Sequence, residues 1–260
     1  MGRTDTDALN TEACSEAYYL PLLAITGLAR EARLATGPGI VTISAGADPV
    51  RLRGMLEARL QPGCRAAISI GIAGGLDPAL MPGDVVIATG VVTGSQRHSV
   101  PSAITDYLAG QLFGLSNRVI LADLVGVDAP ALTPAAKSTL RRQTGAAAVD
   151  MESHIAAAFA AKHDLPFAAI RAVCDPAHRT LPSRIISALR LNGSVNVMAV
   201  VSALADRSAK LGDLVQLAHD SRRAFKALRC CKRALIQDLG ISAISEPMGM
   251  VLPAAPTLAA

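Results

Sequence analysis

Apolar positions along the chain fall into two rhythms. Short unbroken runs, each closed by Gly, Asp or a Pro-Gly turn, alternate with stretches in which apolar residues return every three to four positions. The unbroken runs predict strands over residues 19–26, 39–44, 66–70, 84–93, 119–127 and 166–173. Near-continuous apolar strands of this kind belong to sheets buried on both faces. The helical rhythm predicts helices over 48–60, 134–143, 153–164, 194–205 and 213–239, with a short helix or turn at 28–35. Asp48-Pro49 reads as a helix start, Asp supplying the cap and Pro the first turn. Strand and helix in alternation predict an α/β fold: a single domain in three α/β/α layers with a mixed, mostly parallel central sheet. The domain is expected over 19–239. A polar tail (1–18) precedes it, and a tail rich in Ala and Pro (240–260) follows.

Composition narrows the picture. The chain has 260 residues, enough for one large domain with a sizeable core. Hydrophobic residues make up 51% but aromatics only 3%, and Trp is absent, so the core has to be built from Ala, Val, Leu and Ile. No apolar run reaches the roughly 20 residues that span a bilayer, and the polar, acidic N-terminus is unlike a secretory signal. The five cysteines (Cys14, Cys64, Cys174, Cys230 and Cys231) are odd in number and contain no C-x-x-C spacing. That argues against a disulfide framework or a zinc knuckle and for a cytoplasmic location.

Two acid-bearing segments stand at the ends of apolar runs. Ala148-Val149-Asp150-Met151-Glu152-Ser153 comes first, and Arg171-Ala172-Val173-Cys174-Asp175 follows after one helix and one strand. The carboxyl edge of a parallel sheet is where an α/β protein meets its ligand, and two acids held there can do different work. One can hold a sugar diol as a carboxylate, and the other can protonate a leaving group. Blander readings exist: Asp175 before Pro176 as a helix cap, Glu152 as a solvated acid in a first helical turn, Met151 as plain core. Upstream lies Ser69-Ile70-Gly71-Ile72-Ala73-Gly74-Gly75-Leu76-Asp77-Pro78. Glycines after a strand let backbone approach a ligand closely, or simply make a tight crossing. The spacing is neither a P-loop nor a dinucleotide fingerprint. His98, His154 and His163 lack metal-ligand spacing and read as core or surface histidines.

Taken in order, these motifs resemble the nucleoside phosphorylase and nucleosidase superfamily over residues 20–176. The likeness is closest to its hopanoid-associated phosphorylase branch. Gly71-Ile72-Ala73-Gly74-Gly75-Leu76-Asp77-Pro78-Ala79-Leu80, Ala146-Ala147-Ala148-Val149-Asp150-Met151-Glu152-Ser153 and Val173-Cys174-Asp175-Pro176-Ala177 carry it. The resemblance implies a phosphorylase-like fold and cleavage of a purine N-glycosidic bond, most specifically that of adenosylhopane, with release of adenine and a ribosyl or phosphoribosyl hopanoid. Methylthioadenosine or adenosylhomocysteine is the alternative substrate, and a non-catalytic nucleoside-binding protein the alternative class. It further implies that Asp175 acts as general acid toward the base beside Val173, and that Glu152 accepts both ribose hydroxyls over Met151. Gly27, Arg30, Gly71, Ala73 and Gly74 would lie on the nucleophile or phosphate side, and the 126–132 loop near the base. A homo-oligomer is expected, with no metal or organic cofactor, and inorganic phosphate as a candidate co-substrate.

The residue types suit that chemistry. Breaking a purine–ribose bond builds an oxocarbenium-like sugar and pushes electrons into the base, so an acid with a raised pKa helps the base leave. Glu152 is expected ionised, since a carboxylate accepts two hydroxyls at once. The attacking group stays open. Hydrolases of the superfamily use an early Glu to activate water, and phosphorylases use Arg and Ser to hold phosphate. Gly27-Leu28-Ala29-Arg30-Glu31-Ala32 offers both, in a loop one residue short. Ser69-Ile70-Gly71-Ile72 stands where bacterial purine phosphorylases have Arg-x-Gly-Ser, so both phosphate ligands are missing.

The net charge of +4 is concentrated near the C-terminus, where residues 206–233 hold eight basic and three acidic side chains. Leu217, Ala218, Ala224, Phe225, Leu228, Cys231 and Leu235 form an apolar stripe at helical spacing, with Arg222, Arg223, Lys226, Arg229, Lys232 and Arg233 opposite. The plain reading is a helix packed on the sheet with a solvated basic face. The sharper one is peripheral contact with an anionic membrane surface. Nucleic acid is not an expected partner, because no aromatics are interleaved for stacking.

Overall fold

The apolar runs become strands, and the strands are buried as their composition demands. The computed structural model describes residues 20–59, 63–114, 117–181 and 211–236. In chain order these form β1 (Leu22–Thr26), α1 (Ala29–Ala35), β2 (Ile40–Ser44), α2 (Pro49–Glu57), β3 (Ala66–Gly75), β4 (Val85–Thr93), β5 (Gln96–Ser99) and α3 (Ser102–Leu112). Then come β6 (Val119–Gly126), α4 (Pro134–Thr144), β7 (Ala148–Asp150), α5 (Ser153–Lys162), β8 (Phe167–Asp175) and α6 (Leu211–Ile236). The two tails and the helix anticipated at 194–205 lie outside the described residues.

All eight strands share one mixed sheet. The β1–β2, β1–β3, β3–β8, β4–β6 and β6–β7 pairs are parallel, and β3–β7, β4–β5 and β4–β8 are antiparallel. The mixed, mostly parallel sheet read from the sequence is therefore present. It also curls: β3, β8, β4, β6 and β7 pair in a closed circuit, and β1–β2 and β5 extend from β3 and β4. Every residue of β8 is buried, which explains why its side chains are mostly small or branched and apolar, with Arg171 the one charge inside the run.

Three elements were not anticipated from the pattern: β5, α3 and the three-residue β7. The α3 signal is present nonetheless, since Ile104, Leu108 and Leu112 recur every fourth residue and are all buried. A further difference matters more. The glycine-rich stretch is not a loop after a strand; β3 runs on through Gly75 and pairs with β8 and β7 there. Helix α6 packs on β8, α1 and α3, and α5 packs on α2 and several strands. The stripe read in α6 holds from Ala224 onward: Ala224, Phe225, Leu228, Cys231 and Leu235 are buried, whereas Leu217 is half-buried and Ala218 exposed; of the basic face, Arg222, Arg223, Lys226, Arg229 and Arg233 are exposed and Lys232 is half-buried. No described helix is long and apolar enough to cross a membrane.

Candidate active site

The C-terminal ends of β3, β7 and β8 converge on a cavity of about 570 Å³. Gly27, Arg30, Glu31, Ala73, Gly74, Met151, Glu152 and Asp175 all line it. Eight of the ten residues singled out in the sequence are thus in one place. Gly71 sits just beneath, with Glu31 lying over the position of its absent Cβ, which would be 2.8 Å from Oε1. Val173 is fully buried in the sheet, against Gly75, and does not line the cavity. The remaining walls are largely apolar: Leu28, Ile72, Val127, Val149, Leu181 and Phe225 contribute.

Glu31 resolves part of the Arg30–Glu31 ambiguity. Its carboxylate is buried and accepts three backbone N–H bonds: from Gly27 (2.9 Å) and Leu28 (2.8 Å) at Oε2, and from Ile72 (2.8 Å) at Oε1. The Leu28 bond has Glu31 reach back to the first backbone N–H of α1, as the acid of a capping box does, although a leucine cap has no side-chain acceptor to return it, and the Ile72 bond ties α1 to β3. Burial pushes Glu31 above the ordinary carboxylate range, while the three N–H donors and Arg171 oppose the rise. Arg30 is exposed, with its guanidinium carbon 4.0 Å from the centre of the Phe225 ring.

Glu152 is also buried, so it is no solvated helix acid. The ionised form expected of it is opposed by its surroundings. Burial raises its pKa to about 8, assisted by Asp150 and Glu31 and opposed by Arg171. Two residues that the sequence reading left without a role explain its setting. Arg171 is fully buried, with Nε donating to Asp150 Oδ2 and Nη2 to Ser69 Oγ, both at 2.7 Å, and its Nη2 stands 3.8 Å from Glu152 Oε2. Asp150 uses its other oxygen to accept the N–H groups of Glu152 (2.9 Å) and Ser153 (2.7 Å), capping α5. An Arg inside an apolar strand was the available signal, because a buried charge needs a partner.

Asp175 lies at the end of β8, on the cavity wall. The β3–β8 register slips between Ala73 and Gly74, so Gly74 faces Asp175 rather than Cys174. Such irregularities collect beside active sites, where they re-aim a side chain. Burial raises Asp175 to about 6, and Lys137 is the main opposing influence. Burial pushes the neighbouring Cys174 thiol up to about 12, which disfavours the thiolate. Lys137 carried no sequence signal; it reads as an ordinary helix lysine. Among the described residues no group of His, Cys, Asp and Glu is arranged to hold a metal ion.

The arrangement can hold a diol, protonate a departing base and deprotonate a small nucleophile within one apolar pocket. The sequence profile described as the phosphorylase superfamily matches residues 25–215, and the chain belongs to that family. Among solved structures, 5′-methylthioadenosine/S-adenosyl homocysteine nucleosidase from Helicobacter pylori superposes with a TM-score of 0.57 at 14% identity, covering 73% of this chain and 99% of that one. Futalosine hydrolase from the same organism gives 0.57 at 13% identity, covering 73% and 99%. A putative methylthioadenosine nucleosidase from Weissella paramesenteroides gives 0.53 at 20% identity, covering 69% and 97%. At these identities the likeness is one of fold. No curated protein matches the sequence.

Proposed function

We propose that the protein cleaves the N-glycosidic bond of an adenine nucleoside by hydrolysis, and that the nucleoside carries a large apolar group on its ribose. The observation that carries this reading is that Glu31, Glu152 and Asp175 all open onto one largely apolar cavity. Asp175 protonates the base as the bond breaks, Glu152 receives the ribose hydroxyls, and Glu31 takes a proton from the attacking water. A base with a raised pKa is a better proton acceptor near neutral pH. Water is favoured over phosphate because the Ile72 N–H is already spent on Glu31, and a second anion would meet Glu31 and Glu152. Structural neighbours whose names specify nucleosidase or hydrolase activity fit the same reading.

The substrate we infer is adenosylhopane. Support comes from the motif likeness and from the cavity wall that α6 supplies through Leu217, Ala218 and Phe225. Methylthioadenosine is the small-substrate alternative. The test is adenine release from both nucleosides in phosphate-free and phosphate-containing buffer. Equal release without phosphate, with kcat/KM favouring the lipid nucleoside, is expected. Phosphate-dependent release would sink the hydrolytic assignment, and no release from either would sink the function. E31Q and D175N should each lower kcat by about 10²–10⁴-fold.

The exposed Arg222, Arg223, Lys226 and Arg229 lie on the helix that forms one lip of the cavity, and the half-buried Leu217 and exposed Val215 are on the same helix. A cationic face beside an apolar opening fits an anionic lipid surface from which a lipid nucleoside is drawn. Binding to phosphatidylglycerol vesicles that weakens with salt and is lost when all four residues become Gln is the expected result. Equal binding by the Gln variant would remove the idea.

A further inference from the structure

Lys137 has no counterpart in the motifs that identify the site. It lies early in α4, yet it is fully buried. A buried ammonium persists only with partners, and Lys137 has a full set. Its Nζ donates to Asp175 Oδ2, to the Pro176 carbonyl at 2.9 Å and to the Arg179 carbonyl at 3.3 Å. An ammonium has three N–H donors and no acceptor. One carboxylate and two carbonyls therefore match the charged form and leave no room for a neutral amine to accept anything.

From this geometry we infer that Lys137 is a positioning residue for the leaving-group acid: it fixes Asp175 toward the cavity through one carboxylate oxygen and sets how readily Asp175 gives up its proton. The inference rests on the reading of Asp175 as the acid that protonates the departing base. The step balances simply. The C–N bond breaks, its electron pair goes to the base, and the proton on Asp175 passes to the base nitrogen. The carboxylate left behind is stabilised by the ammonium 38 residues away in sequence. Without Lys137 the new carboxylate would be a buried, unpaired charge, so the proton would be held too tightly to transfer.

Other charges surround the pair. Arg179 follows β8 and pairs with Asp220 of α6 at 2.8 Å. Cys174 adjoins on β8, Glu31 belongs to α1, Glu152 precedes α5, and Arg30 and Arg222 line the same cavity. Of these groups only Lys137 bonds the Asp175 carboxylate. Burial raises Asp175 and Lys137 opposes that rise, so removing the cation moves the pKa of the acid further up. An acid that must be protonated supports activity below its pKa, and activity is lost as pH rises through it.

The experiment is the pH dependence of kcat and kcat/KM for K137Q and K137R. K137Q is expected to move the alkaline limb governed by Asp175 upward by about 1–3 pH units, as loss of an adjacent opposite charge does. It should also lower kcat at neutral pH by about tenfold or more, with KM changing far less. K137R, which keeps the cation, should keep the limb in place. An unmoved limb in K137Q would overturn the inference. If K137Q does not fold, K137Q/D175N removes both buried charges and keeps the question open. Its residual turnover should equal that of D175N alone; a further fall would show that Lys137 supports the site by another route and overturn the inference. D175N with wild-type turnover would instead overturn the reading of Asp175 itself, which separates the two failures.

Discussion

Gly27 and Gly74 lack side chains where carboxylates need the space. A Cβ on Gly27 would overlap Glu152 Oε1, and one on Gly74 would come within 3.2 Å of Asp175 Oδ2 and 3.3 Å of Val149 Cγ1. G27A is therefore expected to displace Glu152 from the diol position while the core survives, since the residue in the way is the end of a side chain and not backbone. The expected outcome is a KM raised by about tenfold or more, the loss of a charged hydrogen bond or two, with a near-wild-type melting temperature. Unchanged KM would mean that Glu152 does not hold the sugar from its observed position. At this scale the sequence was most informative where residue type and motif order coincide, as at Glu152, Asp175 and Glu31. It was silent on Lys137, because a lysine in the first turns of a helix is normally solvated and only its direct contact with the buried Asp175 shows otherwise. Arg171 falls between: a charge inside an apolar strand announces a partner without saying which.

Among elements, β3 is where the pattern and the structure part most usefully. Glycine weakens a strand, so its run of glycines reads as loop; the pairing with β8 and β7 overrides that preference because the carboxylates of Glu31 and Asp175 occupy the missing side-chain volume. Strand existence was most legible where a run is buried on both faces, as in β1 and β8, and strand ends were not, because hydrogen-bond pairing rather than hydrophobicity sets them. The closure of the sheet through β7, only three residues long, left no sequence mark. Helix α4 shows the reverse case, with both ends written in the chain. Thr133 accepts from the Ala136 N–H at 3.2 Å, Pro134 fills the first turn, and Gly145 ends the helix at φ 70°. T133A is expected to cost about 1 kcal/mol of stability, read from urea unfolding. Because α4 carries Lys137, the same variant should lower kcat more than it raises KM. A stability loss with kcat untouched would mean that the helix start does not position the lysine.

For the molecule as a whole, the cavity concentrates acid. Glu31, Asp150, Glu152 and Asp175 line it, and the buried cations in contact with them are Arg171 and Lys137. Full ionisation would leave excess negative charge in a poorly solvated site, so protons stay on: Glu152 is raised to about 8 and Asp175 to about 6, whereas Arg171 holds Asp150 below its ordinary value. The consequence for folding has a definite sign. A carboxyl whose pKa is raised in the folded protein binds a proton that the unfolded chain has released, so between the unfolded and folded values stability falls as pH rises. Unfolded glutamate titrates near 4.3 and aspartate near 3.9. The protein should therefore be most stable near pH 5 and lose stability toward pH 8, with a slope of up to ~1.4 kcal/mol per pH unit for each such group. Melting temperature measured from pH 5 to 8.5 should decline, and E152Q, which cannot ionise, should flatten most of the decline above pH 6.5, where Asp175 has already titrated. A melting temperature that stays level or climbs across that range would mean that the pocket is better solvated than its burial implies, and Glu152 would then be the ionised diol ligand that its motif alone suggests.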